Sequence, residues 1–407
     1  MRRLMLLVML CLALLPGCWD LRDIERRANI TAVGIDLIPE EEREGLTGED
    51  PLESKHRPKY KMTVEIPVLG ELRGVEGSGG SSEGGKPAWV LASTGTSPAQ
   101  ITTLLDLRLW REPSFGHTKV LVIGEEAARE GLKDTIDFFH RHRELSRRMK
   151  LVIANGDAYE VIKVSPEIEE LLGIYLDNLI ELVTLSGRLQ RKNLGEAARE
   201  LFSTGNALLP RVRPEETEVI IGGSAVIKNW RLVGWLGELE TMGSLFATNQ
   251  LRVGLLVVGS PDKSTGEVAV TIRSSRTQIK VLPAGDRISF QFNIFTEADV
   301  VEQLGGRPLD DSSLIQSIED LVEQEILAVT RGALNKLQRE FRVDALGLGD
   351  WVWKQQPKIW EQVKDDWDDV HFPRAEFQVQ SQVRIRRIGR DYLGVGKWKT
   401  IESLLGK

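Results

Sequence analysis

Apolar positions in the first half of this chain fall into short runs that switch between the two-residue period of strands and the 3.6-residue period of helices. Ala28–Leu37 and Tyr60–Leu69 are rich in β-branched residues and predict strands, with a charged, turn-rich loop over Pro39–Pro58. Trp89–Ser93, Lys119–Ile123 and Lys150–Ala154 follow as further strands, the last two as continuous apolar runs of the kind buried on both faces. Between them Ile101, Leu104, Leu105 and Leu109 recur at helical spacing behind Ser97 and Pro98, a cap and a first-turn proline. Glu125–Phe139, Asp157–Val164, Pro166–Ser186 and Leu194–Phe202 also read as helices. This alternation predicts an α/β unit with parallel pairing over residues 18–205, interrupted by a Gly/Ser-rich flexible insertion at 74–86.

A small middle unit is expected over 206–262, built on a hairpin of Glu218–Lys228 and Arg231–Leu236 that turns at Asn229-Trp230. The carboxy-terminal unit, 263–390, has a different rhythm. Val268–Val281 and Arg287–Thr296 alternate polar and apolar residues, as antiparallel strands with one wet face do. Asp311–Phe341 reads as one long helix, with Ile318, Val322, Ile326, Val329, Ala333 and Leu337 on a single face and Ser313/Gln316 as a capping box. A shorter helix starts at Pro357, and Glu376–Ile388 closes the unit as a strand. The expected fold class is therefore α/β and α+β in three mixed domains, the last an antiparallel sheet packed with a long helix, followed by a tail at 391–407.

The first residues break this rhythm. Arg2 and Arg3 precede twelve apolar residues, Leu4–Leu15. As a helix that run extends roughly 18 Å, short of the ~30 Å needed to cross a bilayer, so it reads as a secretory signal peptide over residues 1–17. Leu15-Pro16-Gly17-Cys18 resembles the lipobox of bacterial lipoproteins. That resemblance implies cleavage between Gly17 and Cys18 and a diacylglyceryl lipid, with palmitate-type acylation, on Cys18. Two acyl chains suffice for stable anchoring where one is marginal. Cys11 leaves with the signal and the chain has two cysteines, so no intrachain disulfide is expected.

Composition narrows the classes. A hydrophobic content of 41% excludes wholesale disorder, and a net charge of −7 argues against nucleic acid as a partner. Five histidines leave little for a metal centre, and no HExxH or paired cysteines occur. Three motifs look chemical and fail. Gly80–Lys86 has the spacing of a phosphate-binding loop, yet Pro87 stands where a hydroxyl should meet Mg²⁺. Gly222-Gly223-Ser224-Ala225 resembles a nucleophile elbow, but Val226 replaces its last glycine. His140 and His142, with neighbours Arg141 and Arg143, read as part of a basic surface turn, and the basic run Arg141–Lys150 reads as a charged turn with anionic lipid as its alternative partner. Trp360 and Trp367 share a helical spacing, which gives core packing by default and a partner interface as the sharper reading. No catalytic, cofactor-binding or metal-binding residue is expected.

Several stretches together resemble the Ger(x)C spore germination lipoproteins: Gly17-Cys18-Trp19-Asp20, Gly34-Ile35-Asp36, Arg108-Leu109-Trp110 and Gly116-His117-Thr118-Lys119. Gly223–Val226, Leu232–Leu236, Asp344–Gly349, Pro357, Trp360 and Trp367 extend the match to about Gly389. The resemblance implies a non-enzymatic C subunit of a nutrient germinant receptor, tethered by its lipid to the extracytoplasmic face of the inner spore membrane. Its partners there are the receptor's A and B membrane subunits, and direct binding of a small molecule is not expected of it. The competing class is an extracytoplasmic solute-binding lipoprotein of a transporter. That class calls for two similar doubly wound lobes around a cleft.

Overall fold

The computed structural model describes residues 27–43, 59–68, 87–261, 266–284, 287–304 and 312–388. Gly17, Cys18, the 74–86 insertion, the Gly80–Lys86 motif and the 391–407 tail lie outside the described residues.

The amino-terminal strands are β1 (Arg27–Asn29), β2 (Ala32–Leu37), β3 (Tyr60–Pro67), β4 (Ala88–Gly95), β5 (Glu112–Ser114), β6 (Val120–Ile123) and β7 (Lys150–Ala154). They continue with β8 (Ala207–Pro214), β9 (Val219–Lys228) and β10 (Arg231–Leu236). Eight of them form one sheet in the order β10-β9-β8-β7-β6-β2-β3-β4. Its centre, β8-β7-β6-β2, is parallel, and an antiparallel pair flanks it on each side. β1 and β5 pair separately and in parallel.

Helices cover both faces, which explains why β6 and β7 are apolar throughout. One face packs on α1 (Pro98–Arg108), α2 (Glu125–Glu130), α3 (Lys133–Arg141) and α6 (Leu194–Thr204), through Ile101, Ala127, Phe139 and Leu201. The other packs on α4 (Ala158–Ile162) and α5 (Leu172–Thr184), through Ile162, Leu176 and Ile180. The helix expected over 125–139 is two helices. Gly131, at φ 148°, breaks it, and the amide of Leu132 then donates to Trp230 O across 2.8 Å. The helix expected from Pro166 begins only at Leu172.

The hairpin expected at 218–236 forms, and Asn229 and Trp230 both take positive φ in its turn, as a tight two-residue connection requires. It is not a unit of its own. Its strands form one edge of the eight-stranded sheet, while Leu208, Val226 and Leu236 belong to the carboxy-terminal core. The expected boundary at 205/206 thus falls inside a continuous sheet, because β8 pairs with β7 and the hairpin's β9 pairs with β8.

The carboxy-terminal unit contains α7 (Glu238–Ala247), β11 (Gly254–Gly259), β12 (Glu267–Ala284), β13 (Arg287–Gln303), α8 (Ser312–Asn335), α9 (Leu348–Gln355), α10 (Pro357–Val363) and β14 (Glu376–Ile388). The sheet order is β11-β12-β13-β14. The expected antiparallel sheet holds for its first three strands, but β14 runs parallel to β13. The helices between them form a crossover that returns the chain in the same direction. β14's outer edge is guarded: its amides at Val383 and Ile385 donate to the carboxylates of Glu323 and Glu319 on α8, at 2.8 and 2.7 Å. α7 crosses α8 at close range, since a Cβ on Gly243 would stand 2.0 Å from Val329 O. The long helix expected to reach Phe341 changes to a π-turn at Lys336–Phe341, ending on Arg342 at φ 49°.

Candidate functional site

Three of the helices that begin at residues whose own side chains make no capping bond are α4 after Asp157, α5 after Leu171 and α9 after Gly347. Orphan N–H groups at a buried helix start need acceptors. In each case a buried carboxylate from elsewhere supplies them. Asp36, at the end of β2, accepts from the amides of Ala158 (2.6 Å) and Tyr159 (2.8 Å). Glu65, on β3, accepts from Leu172 (2.6 Å) and Gly173 (2.9 Å) and from the Thr31 hydroxyl (2.6 Å). Asp344 accepts from Leu348 (2.9 Å), Gly349 (2.7 Å) and the Trp367 indole N–H (2.9 Å).

Burial lifts all three carboxyls above their ordinary range, against the pull of the N–H groups they hold. For Asp36 the value is about 6. The neighbouring glycines are there for space. A Cβ on Gly124 would stand 2.1 Å from the Asp36 carboxylate, and one on Gly173 would stand 2.4 Å from Thr31 O.

Asp344 also lies beside the joint between the two units. The indole of Trp367 is 6% exposed and lies edge-on to Trp360 at 5.7 Å, with Phe290 and Phe372 around it. The two tryptophans are therefore brought together, Trp367 within the core and Trp360 half-buried against it. Trp367 offers no exposed aromatic docking face, because its polar edge is taken by Asp344 and its rings by the sheet. Next to them Asp368 receives the amide of Asp344 (2.8 Å) and the side-chain amide of Asn206 (2.5 Å) from the first unit. Lys228, from β9, donates to Arg342 O (2.8 Å) and pairs with Asp369 (3.2 Å). Phe341 fills the gap left by Gly234, where a Cβ would stand 2.3 Å from the ring.

A polar cavity of about 410 Å³ opens at this joint, between α6 and the 344–354 segment, lined among others by Lys192, Arg199, Glu200, Asn206, Asp350 and Lys354. Lys192 is held by both oxygens of Glu200, at 2.6 and 2.8 Å. The cavity's charges are paired or solvated, and its lining contains no histidine or cysteine.

The other sequence candidates disperse. Ser224 is fully buried within β9 and bonds to the Thr241 hydroxyl at 3.1 Å, so it has no route to a substrate. His140 and His142 are not a loose surface turn. His140 lies in the last turn of α3 against Phe202, and His142, its C-cap, packs on Phe115 and Phe138 at 5.2 and 5.6 Å. Among the described residues no group of three His, Cys, Asp or Glu side chains is placed to hold a metal ion, and no helix is long and apolar enough to cross a membrane. Sequence reasoning missed the three carboxylates as working groups. Glu65 stood in plain view as an acid in the middle of an apolar strand.

The fold and this joint define a class: a mixed α/β and α+β protein in which buried polar groups hold helices and units together. The model of the spore germination protein N-terminal domain matches residues 20–214, and that of the spore germination B3/GerAC-like C-terminal domain matches residues 222–389. The chain therefore belongs to the GerAC (Ger(x)C) family of spore germination proteins. It is 28% identical over 398 residues to spore germination protein YndF of Bacillus subtilis (strain 168), covering 95% of this chain and 97% of that one. It is 23% identical to spore germination protein KC of the same organism, covering 95% of each. The crystal structure of the GerBC protein shares the fold, with a TM-score of 0.57 and 19% identity, over 90% of this chain and 99% of that one. The first family model ends with β8 at residue 214 and the second begins inside β9 at residue 222, so both fall within one sheet.

Proposed function

We propose that this chain is the C subunit of a nutrient germinant receptor, a non-catalytic protein tethered by a diacylglyceryl group on Cys18 at the extracytoplasmic face of the inner spore membrane. There it assembles or stabilises the A and B membrane subunits and helps trigger germination. The observation that carries this reading is the pair of family matches running from residue 20 to residue 389, directly behind the Leu15–Cys18 lipobox. The use of buried polar groups as structural ties, with Ser224 sealed inside the sheet, supports a role exerted through surfaces. Replacing Cys18 with Ala is expected to move the protein from the membrane to the soluble fraction and to abolish its co-purification with the A and B subunits. Membrane-bound, germination-competent Cys18→Ala protein would show that partners alone hold it.

The solute-binding reading calls for two similar lobes, and the two units here differ in strand order and direction. Isothermal titration of the purified chain with amino acids and sugars tests it directly. Tight binding by the isolated chain would favour that reading.

A further inference from the structure

In the β1–β5 pair Arg27 stands opposite Glu112, and the two strands run the same way. Arg27, the first of the described residues, therefore stands at the end of the fold where Trp110 and Arg111 sit. At that end two large apolar side chains face outward, Leu107 at 81% and Trp110 at 83% exposure, on the last turn of α1 and just beyond it. The Arg111 guanidinium lies 4.3 Å from the centre of the Trp110 ring. Among the described residues at the ends of β1, α1 and β5, Arg27, Arg108 and Arg111 stand beside the acids Asp106 and Glu112. Past the other end of β5, which is tied by Phe115 N to Glu144 at 3.0 Å, exposed Arg143, Arg147 and Arg148 make no ion pair with a described residue.

We propose that Leu107 and Trp110, flanked by Arg108 and Arg111, form a membrane-contact surface that seats the protein on anionic phospholipid headgroups beside its own anchor. The proposal rests on the lipid-anchor reading of Cys18 given above. Arg27 follows Cys18 by nine residues. A fully extended chain of that length reaches about 30 Å, so this end of the fold cannot be held farther than that from the bilayer. Tryptophan is the residue type that settles at the headgroup level, and arginines beside it meet the negative surface potential. Two side chains are also too little for a stable protein–protein interface, which buries about 1,200 Å² or more.

The test uses the acylated full chain in vesicles of phosphatidylcholine with about 30% phosphatidylglycerol, the anionic fraction that gives a surface potential. A nitroxide is attached through Trp110→Cys or, as control, through Trp353→Cys on α9. The label at 110 is expected to be shielded from an aqueous relaxant and reached by oxygen, while the label at 353 stays aqueous. In parallel, unacylated Cys18→Ser chain is floated with the same vesicles. Leu107→Ser with Trp110→Ser is expected to lower its partitioning roughly tenfold, and Leu107→Ser alone to lower it less.

An aqueous label at 110 on acylated protein, or partitioning unchanged in both variants, would overturn the proposal with the anchor intact. A label shielded only after A and B subunits are added would also overturn it and assign the surface to a protein. Mass spectrometry of Cys18 reads the anchor separately. An unmodified Cys18 on a chain that still floats through Trp110 would sink the anchor and keep the surface.

Discussion

Asp36 and Glu65 in the amino-terminal sheet do over long sequence distances what Asp344 does locally in the carboxy-terminal unit. Asp36 reaches amides 122 and 123 residues away, and Glu65 reaches amides 107 and 108 away. Asp344 caps amides only four and five positions ahead, through the turn at Gly347 with its φ of 71°. The two arrangements leave the same donors satisfied but have different consequences. A local cap helps its helix start before the sheet exists. A distant carboxylate can hold α4 or α5 only after β2 and β3 have paired, so these helices depend on the assembled sheet. In both regions the carboxylate is buried, at 6% exposure or less, so losing it leaves main-chain donors unpaired.

The comparison is broken hardest at Asp344. Replacing it with Ala takes the acceptor from three amides, those of Leu346, Leu348 and Gly349, and from the Trp367 indole N–H, at a cost of about 4 kcal/mol. Chemical denaturation should show that loss, and hydrogen exchange should place it in α9 and around Trp367 while α4 and α5 keep their protection. Glu65→Gln is milder, because the amide oxygen still accepts one bond while its NH₂ faces donors. It should cost about 2 kcal/mol, with exchange rising in α5 and leaving α9 unchanged. Equal deprotection of both helices by either change would dissolve the distinction between local and distant caps.

How far the sequence revealed this arrangement follows the same division. The apolar runs at Lys119–Ile123 and Lys150–Ala154 were legible, because a parallel strand buried on both faces can hardly be anything else. Ser97 was legible as a cap and does accept the Gln100 amide. What escaped is non-local. The 218–236 hairpin was visible, yet nothing within it shows that β9 pairs with β8, or that Leu208, Val226 and Leu236 serve the other core. The parallel entry of β14 depends on where the crossover lands, which residues 376–388 do not encode by themselves. Trp360 and Trp367 were paired by spacing, but Asp344, which buries Trp367, lies 23 positions away. Asp36 and Glu65 fit a strand pattern as tolerable polar residues until the helix ends they serve are seen above them.

The finest test turns on pH. Burial raises the Asp36 carboxyl from 3.8 to about 6, so between these values the unfolded chain has released a proton that the folded protein keeps. The folded state then binds more protons, and stability from this group falls as pH rises. The contribution is complete below pH 3.8 and lost as pH passes 6. Asp36→Asn removes the titration, so its cost should be about 1 kcal/mol or less at pH 7.5 and should grow on acidification. Denaturation of wild-type and variant protein at pH 5 and pH 7.5 measures the difference. A cost that shrinks at pH 5 would mean that the N–H groups of Ala158 and Tyr159 outweigh burial, and that Asp36 is held as a carboxylate like Glu125 and Glu181, whose basic partners pull them down.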